Sequence, residues 1–305
     1  HQVEGNNSHN DWWAFEQLGQ LPKSGLATDH YHRFEEDFDL AKNIGLNAMR
    51  ISIEWSRIEP QEGQFDVAAI AHYHRVLETM KAKGLTRMVT LFHFTLPQWF
   101  AKQGGFTSHK NVSYFVRYAK LIAKELGEEI DLWNTINEPE VLTYMGYIKG
   151  LWPPFSQNPL TALAHFTILA KAHRQAYSAI KSIQPEAKIG IAKNNVYNEA
   201  YRKDNFLDSL AVKINDWYGN YWFLNMIKDH LDFIGLNYYF YHSLSVGLDG
   251  IKQKNLEGPK SDMGWRTYPK GIYYLVMELH KRYNKPIYIT ENGIANARDD
   301  MRQDY

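Results

Sequence analysis

Six short runs rich in β-branched and aromatic residues recur along the chain, separated by longer segments with helical periodicity. The starts of neighbouring runs are roughly 40 to 60 residues apart, which is room for one strand, one helix and their loops. The runs are 47–55, 86–94, 130–138, 188–196, 231–239 and 286–293. Because parallel neighbours need a crossover connection, this alternation predicts an α/β fold with a parallel sheet.

The segments between the runs predict amphipathic helices. Tyr31, Phe34, Phe38 and Ala41 share one helical face, and Gly45 follows as a stop signal. Further stripes are Val67, Ile70, Tyr73, Leu77 and Met80, ended by Gly84; Val112, Phe115, Ala119, Ile122 and Leu126, ended by Gly127; and Leu163, Phe166, Ala170 and Ile180. No linker or composition break divides the chain, so one domain over residues 1–305 is predicted.

Composition excludes several classes of function. The 34 basic and 34 acidic residues give a formal net charge of zero, which offers no electrostatic reason to expect nucleic acid or an anionic membrane as partner. The absence of Cys excludes disulfides, thiolate nucleophiles and cysteine-zinc sites. No apolar run approaches membrane-spanning length and no secretory leader opens the chain, so a cytoplasmic protein is predicted. The 20 Tyr and 9 Trp fit either an aromatic core or a sugar site.

Polar groups lie at the ends of the strand-like runs. They are Arg50, His93, Asn137, Glu138, Asn237, Tyr239, Glu291 and Asn292. In an open doubly wound sheet such ends face a crevice, and in a closed barrel they face one rim. With either architecture, several elements direct chemistry at one place.

Two of these groups are carboxylates suited to glycoside hydrolysis. In a retaining enzyme the two carboxyl groups are about 5–5.5 Å apart, one protonating the leaving group and the other attacking the anomeric carbon. Glu138 precedes Pro139, which ends a strand, and Glu291 precedes Gly293, which permits a sharp exit. Each short motif alone fits an ordinary turn equally well. Together, on the fourth and seventh strands of a barrel pattern, they are far more specific.

The chain resembles the family-one glycoside hydrolases, which are β-glucosidase-like enzymes, over essentially its whole length. The motifs that carry the resemblance are 1–5, 49–57, His93, 137–139, 232–239 and 289–293. The resemblance implies a TIM (β/α)8 barrel and retaining double displacement on β-linked glucosides, galactosides or related sugars. It also implies a small β-glycoside or oligosaccharide as partner and no metal or organic cofactor.

The resemblance assigns a role to each matching residue. Glu291 looks like the nucleophile, Glu138 like the acid/base, and Asn137 like the group that meets the sugar 2-hydroxyl. Gln2 and His93 resemble ligands of the remaining glycon hydroxyls. A core histidine is the alternative for His93.

Three further residues resemble the support of the nucleophile. Arg50 and Tyr239 would hydrogen-bond Glu291 and keep it ionised, and Asn237 would act on the same side. A structural ion pair is the alternative for Arg50, and barrel packing is the alternative for Tyr239.

The chain departs from the family pattern at two places. Phe94 stands where the family usually has Trp, so the indole donor is lost. The chain also opens on a stub of strand one and lacks the eighth strand, so we expect an incomplete barrel of six full strands plus a stub, truncated at both ends. Weak turnover is then expected, because substrate positioning is lost. Three explanations of these ends stay open: a deliberately shortened polypeptide, a split protein completed by another chain, or a sequence that contains only the ordered residues of a longer chain.

Open barrel edges suggest two further partners, namely a complementing C-terminal fragment or another copy associated through those edges. Two other functions remain open from sequence. One is another retaining barrel glycosidase, resembling an endo-cellulase. The other is a non-catalytic barrel fragment or scaffold that binds a flat apolar ligand, for example haem held by a Tyr or His.

Overall fold

The computed structural model describes residues 3–254 and 259–305. Contacts within the chain divide it into two compact units, His1–Ile191 and Ala192–Tyr305. Of the predicted stub of strand one, residues 1 and 2 lie outside the described ranges, and residues 3 and 4 form a turn.

The first unit alternates parallel strands with helices. Its strands are β1 (Ala48–Ser52), β2 (Thr86–Phe92), β3 (Leu132–Asn137) and the start of β4 (Lys188–Asn194). Its helices are α1 (Asp11–Gln17), α2 (His30–Asn43), α3 (Trp55–Ile58), α4 (Val67–Ala82), α5 (Gln98–Lys102), α6 (Val112–Glu125), α7 (Pro139–Thr143) and α8 (Pro159–Ile183). The strands hydrogen-bond in chain order, with β1 parallel to β2 and β2 parallel to β3.

Helix α4 shows how closely the helical pattern anticipates burial. The Asp66 carboxylate caps it by accepting from the backbone N–H groups of Ala68 and Ala69 at 2.8 and 3.1 Å. The helix buries Tyr73 and the other members of its predicted stripe except Val67, which stays 77% exposed. Val67 is the first helical residue, and its position in the first turn leaves it in solvent. Gly84, with φ of +65°, follows the helix end as predicted.

Many of the aromatic residues of the first unit form its core, so their number alone does not indicate a sugar site. The Trp55 ring stacks on Tyr118 at 5.2 Å and lies 4.7 Å from Phe100 and 5.7 Å from Phe115. All four side chains are fully buried. Tyr118 OH also donates to the Ile53 carbonyl at 2.9 Å, which ties this cluster to the segment that directly follows β1.

The second unit combines the rest of the parallel sheet with a separate small sheet. The end of β4 pairs with β6 (Ile234–Tyr238), and β6 pairs with β9 (Ile287–Asn292), both in parallel. The small sheet consists of β5 (Tyr197–Ala200), β7 (Tyr241–Gly247) and β8 (Gly250–Gln253). The helices are α9 (Phe206–Asn215), a π-helical segment (Asp216–Tyr221), α10 (Trp222–Ile227) and α11 (Gly271–Tyr283).

The predicted α/β class and parallel strand order are confirmed. Each of the six predicted runs contains a strand, and the order β1-β2-β3-β4-β6-β9 follows the chain. The small sheet was not predicted. Strand β9 is an edge among the described residues, and its Tyr288 and Ile289 are 40% and 46% exposed.

Candidate active site

The carboxyl ends of β1, β2 and β3 bring three predicted site residues together in the first unit. Arg50 donates from Nη1 to Thr90 Oγ1 at 2.9 Å and to Asn137 Oδ1 at 3.3 Å. The Asn137 amide nitrogen lies 3.2 Å from His93 Nε2. Because a guanidinium only donates, the amide oxygen must face Arg50 and the amide nitrogen must donate to His93. His93 Nε2 is then an acceptor, which places the ring proton of the neutral imidazole on Nδ1.

Glu138 has a strained backbone at the next position. Its φ and ψ are 42° and 62°, in the left-handed region that residues with a side chain rarely adopt. The side chain is only 7% exposed. Pro139 begins α7 directly afterwards, so the strand stops where the sequence predicts. Strain of this kind costs about 1–3 kcal/mol and is concentrated at functional sites, which supports a functional reading of Glu138.

A cavity of about 440 Å³ lies in the first unit and is lined by Arg50 and His93. One wall is aromatic: the ring of Phe94 lies 5.0 Å from that of Trp152, which in turn lies 5.4 Å from that of Trp12. The volume is in the range of ordinary small-molecule pockets. Sequence reasoning missed both tryptophans. Trp152 precedes Pro153-Pro154 in the loop that follows the Glu138 motif. Its position soon after that motif in the sequence is the signal that could have identified it as a site residue.

Two buried carboxylates, Glu4 and Glu54, also line the cavity. Arg57 Nε donates to Glu4 Oε2 at 2.7 Å, and Tyr73 OH donates to Glu4 Oε1 at 2.8 Å. Burial raises the pKa of Glu4, and the nearby charge of Glu54 raises it further. Glu54 accepts from Thr95 Oγ1 at 2.9 Å. This network was also missed, although Glu4 and Arg57 belong to two of the motifs behind the resemblance; it ties the N-terminal segment to α3 and α4.

A further buried carboxylate supports the aromatic wall. Asp11 Oδ1 accepts from the backbone N–H groups of Leu96 at 2.9 Å and of Trp12 at 3.0 Å. Burial raises the pKa of Asp11 to about 7. The carboxyl thereby ties the start of α1 to the segment that follows His93.

In the second unit, the structure brings Tyr239 to Glu291. Tyr239 OH donates to Glu291 Oε2 at 2.6 Å, a short charge-assisted hydrogen bond. Thr290 Oγ1 donates to Asn237 Oδ1 at 2.6 Å. The pairing of β6 with β9 shifts register between Leu236 and Asn237, and such irregularities re-aim side chains near active sites.

The two tyrosines that follow Asn237 have different environments. Tyr238 is fully buried, and its OH donates to the Tyr268 carbonyl at 2.5 Å, so it is a packing residue. Tyr239 lies in the two-residue link between β6 and β7, and its carbonyl accepts from Tyr305 OH at 3.2 Å.

Gln2 lies outside the described residues. Glu138 and Arg50 belong to the first unit and Glu291 to the second, so the predicted approach of each to Glu291 stays a prediction. Within residues 3–254 and 259–305, no group of three or more His, Asp or Glu side chains could hold a metal ion. In the same ranges, no helix has the length and apolar character needed to cross a membrane.

Comparison with known proteins identifies the family. The model of glycosyl hydrolase family 1 matches residues 12–228 and 223–305. β-Glucosidase A of Thermotoga maritima is 30% identical over 93% of this chain and 72% of its own length. A β-galactosidase of Pyrococcus woesei is also 30% identical, over 98% of this chain and 79% of its own length.

Solved structures agree with this assignment. A β-glycosidase of Pyrococcus horikoshii matches with a TM-score of 0.91 and 36% identity, covering 98% of this chain and 75% of that chain. The fold is therefore the (β/α)8 barrel of these enzymes, incomplete in this chain. The resemblance inferred from the motifs is confirmed, and the chain is a β-glycosidase that belongs to glycosyl hydrolase family 1.

Proposed function

We propose that the chain cleaves β-linked glucosides and galactosides with retention of configuration, using Glu291 as nucleophile and Glu138 as acid/base. The observation that carries this assignment is the 2.6 Å hydrogen bond from Tyr239 to Glu291 at the end of β9. The phenol O–H holds one oxygen of the Glu291 carboxyl group in place, and a positioned carboxylate is a nucleophile that can attack an anomeric carbon. Glu138 has the matching position at the end of β3.

The reaction proceeds in two displacements. In the first, Glu138 protonates the glycosidic oxygen while a Glu291 oxygen attacks the anomeric carbon, so the C–O bond to the aglycon breaks and an ester forms. In the second, Glu138 accepts a proton from water, whose oxygen attacks the same carbon and releases Glu291. Each displacement inverts the carbon, and two inversions restore the β configuration.

Asn137 is assigned to the sugar 2-hydroxyl. Arg50 holds the amide oxygen, so the amide nitrogen is the atom left to donate on the side of His93. A hydrogen bond to the 2-hydroxyl strengthens in the oxocarbenium-like transition state and therefore accelerates the reaction. Gln2 and His93 would bind the other glycon hydroxyls, and Asn237 would hold the β9 backbone through Thr290 beside the nucleophile.

Ligand complexes of a related enzyme support the proposal that this chain binds a sugar-like ligand. Structures of the Thermotoga maritima β-glucosidase contain glucoimidazole and castanospermine. We infer that residues 1–305 act as one barrel domain on a small β-glycoside, with a complementing C-terminal fragment as a further candidate partner. A cytoplasmic location is part of the proposal and is supported by the cysteine-free composition, which suits a reducing compartment.

Covalent labelling tests the nucleophile. Cyclophellitol, present in another structure of the Thermotoga maritima enzyme, is an epoxide that a carboxylate opens to form an ester. We expect intact mass to rise by one inhibitor per chain and peptide mapping to place the ester on Glu291. Glu291→Gln should abolish labelling, whereas Glu186→Gln, an exposed control, should not. Ester on another residue, or labelling that survives Glu291→Gln, contradicts the assignment.

Leaving-group dependence tests the acid/base. A dinitrophenyl leaving group needs no protonation, whereas an alkyl alcohol does. In Glu138→Ala, the first displacement should slow by about 10²–10⁴ with an alkyl glucoside and much less with the dinitrophenyl glucoside. Equal losses with both substrates would exclude Glu138 as the acid.

A further inference from the structure

Helix α9 and the π-helical segment after it present an apolar stripe to solvent. The exposed fractions are Phe206 76%, Leu207 51%, Leu210 39%, Ile214 52%, Trp217 53% and Tyr218 55%. The opposite face buries Asp208 and Ala211. This inverts the usual pattern, in which a surface helix turns its apolar face inward, and contiguous exposed patches of this kind mark interaction sites.

The spacing within the stripe favours a helical partner. Leu207, Leu210, Ile214 and Trp217 follow one another at intervals of three, four and three residues, which is the a/d spacing of paired helices. Lys203, Asp204 and other charges of both signs flank the stripe. A helix that lies on a membrane surface instead carries an excess of Lys and Arg beside its apolar face.

The area of the stripe is sufficient for association. From side-chain areas typical of aromatic and aliphatic residues, the six exposed side chains present roughly 600–700 Å², close to the ~800 Å² that each partner buries in a standard stable interface. An open groove of about 920 Å³ beside Trp217 extends this surface. Its other wall includes Tyr221, Met277 and Arg282, and Arg282 stacks over the Tyr221 ring at 3.9 Å. Aromatic, Met and Arg side chains are enriched in interfaces.

We propose that this stripe binds the same stripe of a second copy of the chain, in an antiparallel pair related by a two-fold axis. A two-fold contact uses the same patch on both copies. The patch must therefore fit against a copy of itself that runs in the opposite direction. Reversal about the middle of the stripe places Leu207 opposite the second copy's Trp217 and Leu210 opposite the second copy's Ile214. The largest side chain then meets a smaller one at each end.

Cysteine mixing tests the pairing directly, because the natural chain has no Cys. In the antiparallel pair, Leu207→Cys in one copy faces Trp217→Cys in the other. Two copies of the same variant hold their thiols roughly 15 Å apart, since ten residues of helix span that length, whereas a disulfide needs Cα atoms within about 7 Å. We expect oxidation of the mixture to give at least tenfold more disulfide-linked dimer than either variant alone. Equal yields in all three samples would overturn the pairing.

Sedimentation equilibrium tests the surface without oxidation. Ile214→Lys should weaken dimerisation at least tenfold, while Leu160→Lys, at an 80% exposed position on α8, should leave it unchanged. Circular dichroism of both variants checks that the fold is retained. A natural chain that stays monomeric at 100 μM overturns the proposal. The same chain binding phosphatidylcholine–phosphatidylglycerol vesicles through Ile214 would instead assign the stripe to a membrane surface.

Discussion

Tyr239→Phe tests the contact on which the proposed mechanism depends. The substitution removes only the phenol oxygen, so the aromatic ring of this residue, in the link between β6 and β7, is retained. What is lost is the 2.6 Å hydrogen bond to Glu291 Oε2. If Glu291 is the nucleophile, it is less well held and less stabilised as an anion, and the first displacement slows.

The size of the effect follows from the bond. Hydrogen bonds to charged groups contribute about 1.5–3 kcal/mol, and this one has the short length typical of an O–H donor to a carboxylate. At 1.36 kcal/mol per factor of ten, kcat/KM should fall roughly 10- to 150-fold. The loss should be in the chemical step, because the phenol contacts Glu291, the proposed nucleophile.

Steady-state hydrolysis of an aryl β-glucoside measures the fall, and Tyr238→Phe is the matched control. That substitution also removes one phenol oxygen, but its partner is the Tyr268 carbonyl. We therefore expect Tyr238→Phe to lower the unfolding temperature and change kcat/KM less than Tyr239→Phe does. A Tyr239→Phe enzyme within threefold of the natural one, or equal losses in the two variants, would refute the reasoning.

Three other predictions concern the first unit and the chain as a whole. Burial raises the pKa of Asp11 from 3.8 to about 7, so its charged form destabilises the fold, and its contribution to stability is lost as pH rises from about 4 through 7. Urea unfolding should show Asp11→Asn removing up to roughly 4 kcal/mol of this pH dependence, and parallel curves for the two proteins would contradict it. Asn137→Ala should lower kcat/KM for a β-glucoside about 10- to 100-fold but act much less on the 2-deoxy analogue, because only the former has the hydroxyl that the amide is proposed to contact; equal losses exclude that role. A polypeptide of only these 305 residues should turn over aryl β-glucosides at least roughly 100-fold more slowly than a relative such as the Thermotoga maritima enzyme, because positioning contributes many orders of magnitude. Comparable rates, from material verified by intact mass, would contradict it.

The strand order was predictable because each barrel run is apolar and closes on a polar group. In β2, the residues from Met88 to Phe92 are buried, and the polar His93 follows the strand. A short, mostly apolar run of this length predicts a buried strand. The small sheet escaped prediction although Asp249-Gly250 lies between two alternating runs, which is a hairpin signal.

The sequence predicted which residue types form the site, but it did not predict their backbone conformations. Pro139 predicts the end of β3, yet nothing in the sequence predicts the positive φ of Glu138 or of Phe94, at 72°. Positive φ is ordinarily a property of Gly, and only tertiary packing holds a side-chain-bearing residue there. Likewise, the Glu4–Arg57–Tyr73 network joins residues that are distant in sequence, so each appears alone as an ordinary charged or aromatic side chain.

The two-residue link that contains Tyr239 connects strands of two different sheets. Strand β6 belongs to the barrel, while β7 belongs to the small sheet with β5 and β8. Any displacement of the β7–β8 hairpin therefore pulls on the phenol that contacts Glu291. If Glu291 is the nucleophile, changes in the β7–β8 hairpin alter its reactivity while every barrel residue stays the same, and related enzymes can then differ in rate without substitutions at the proposed catalytic side chains.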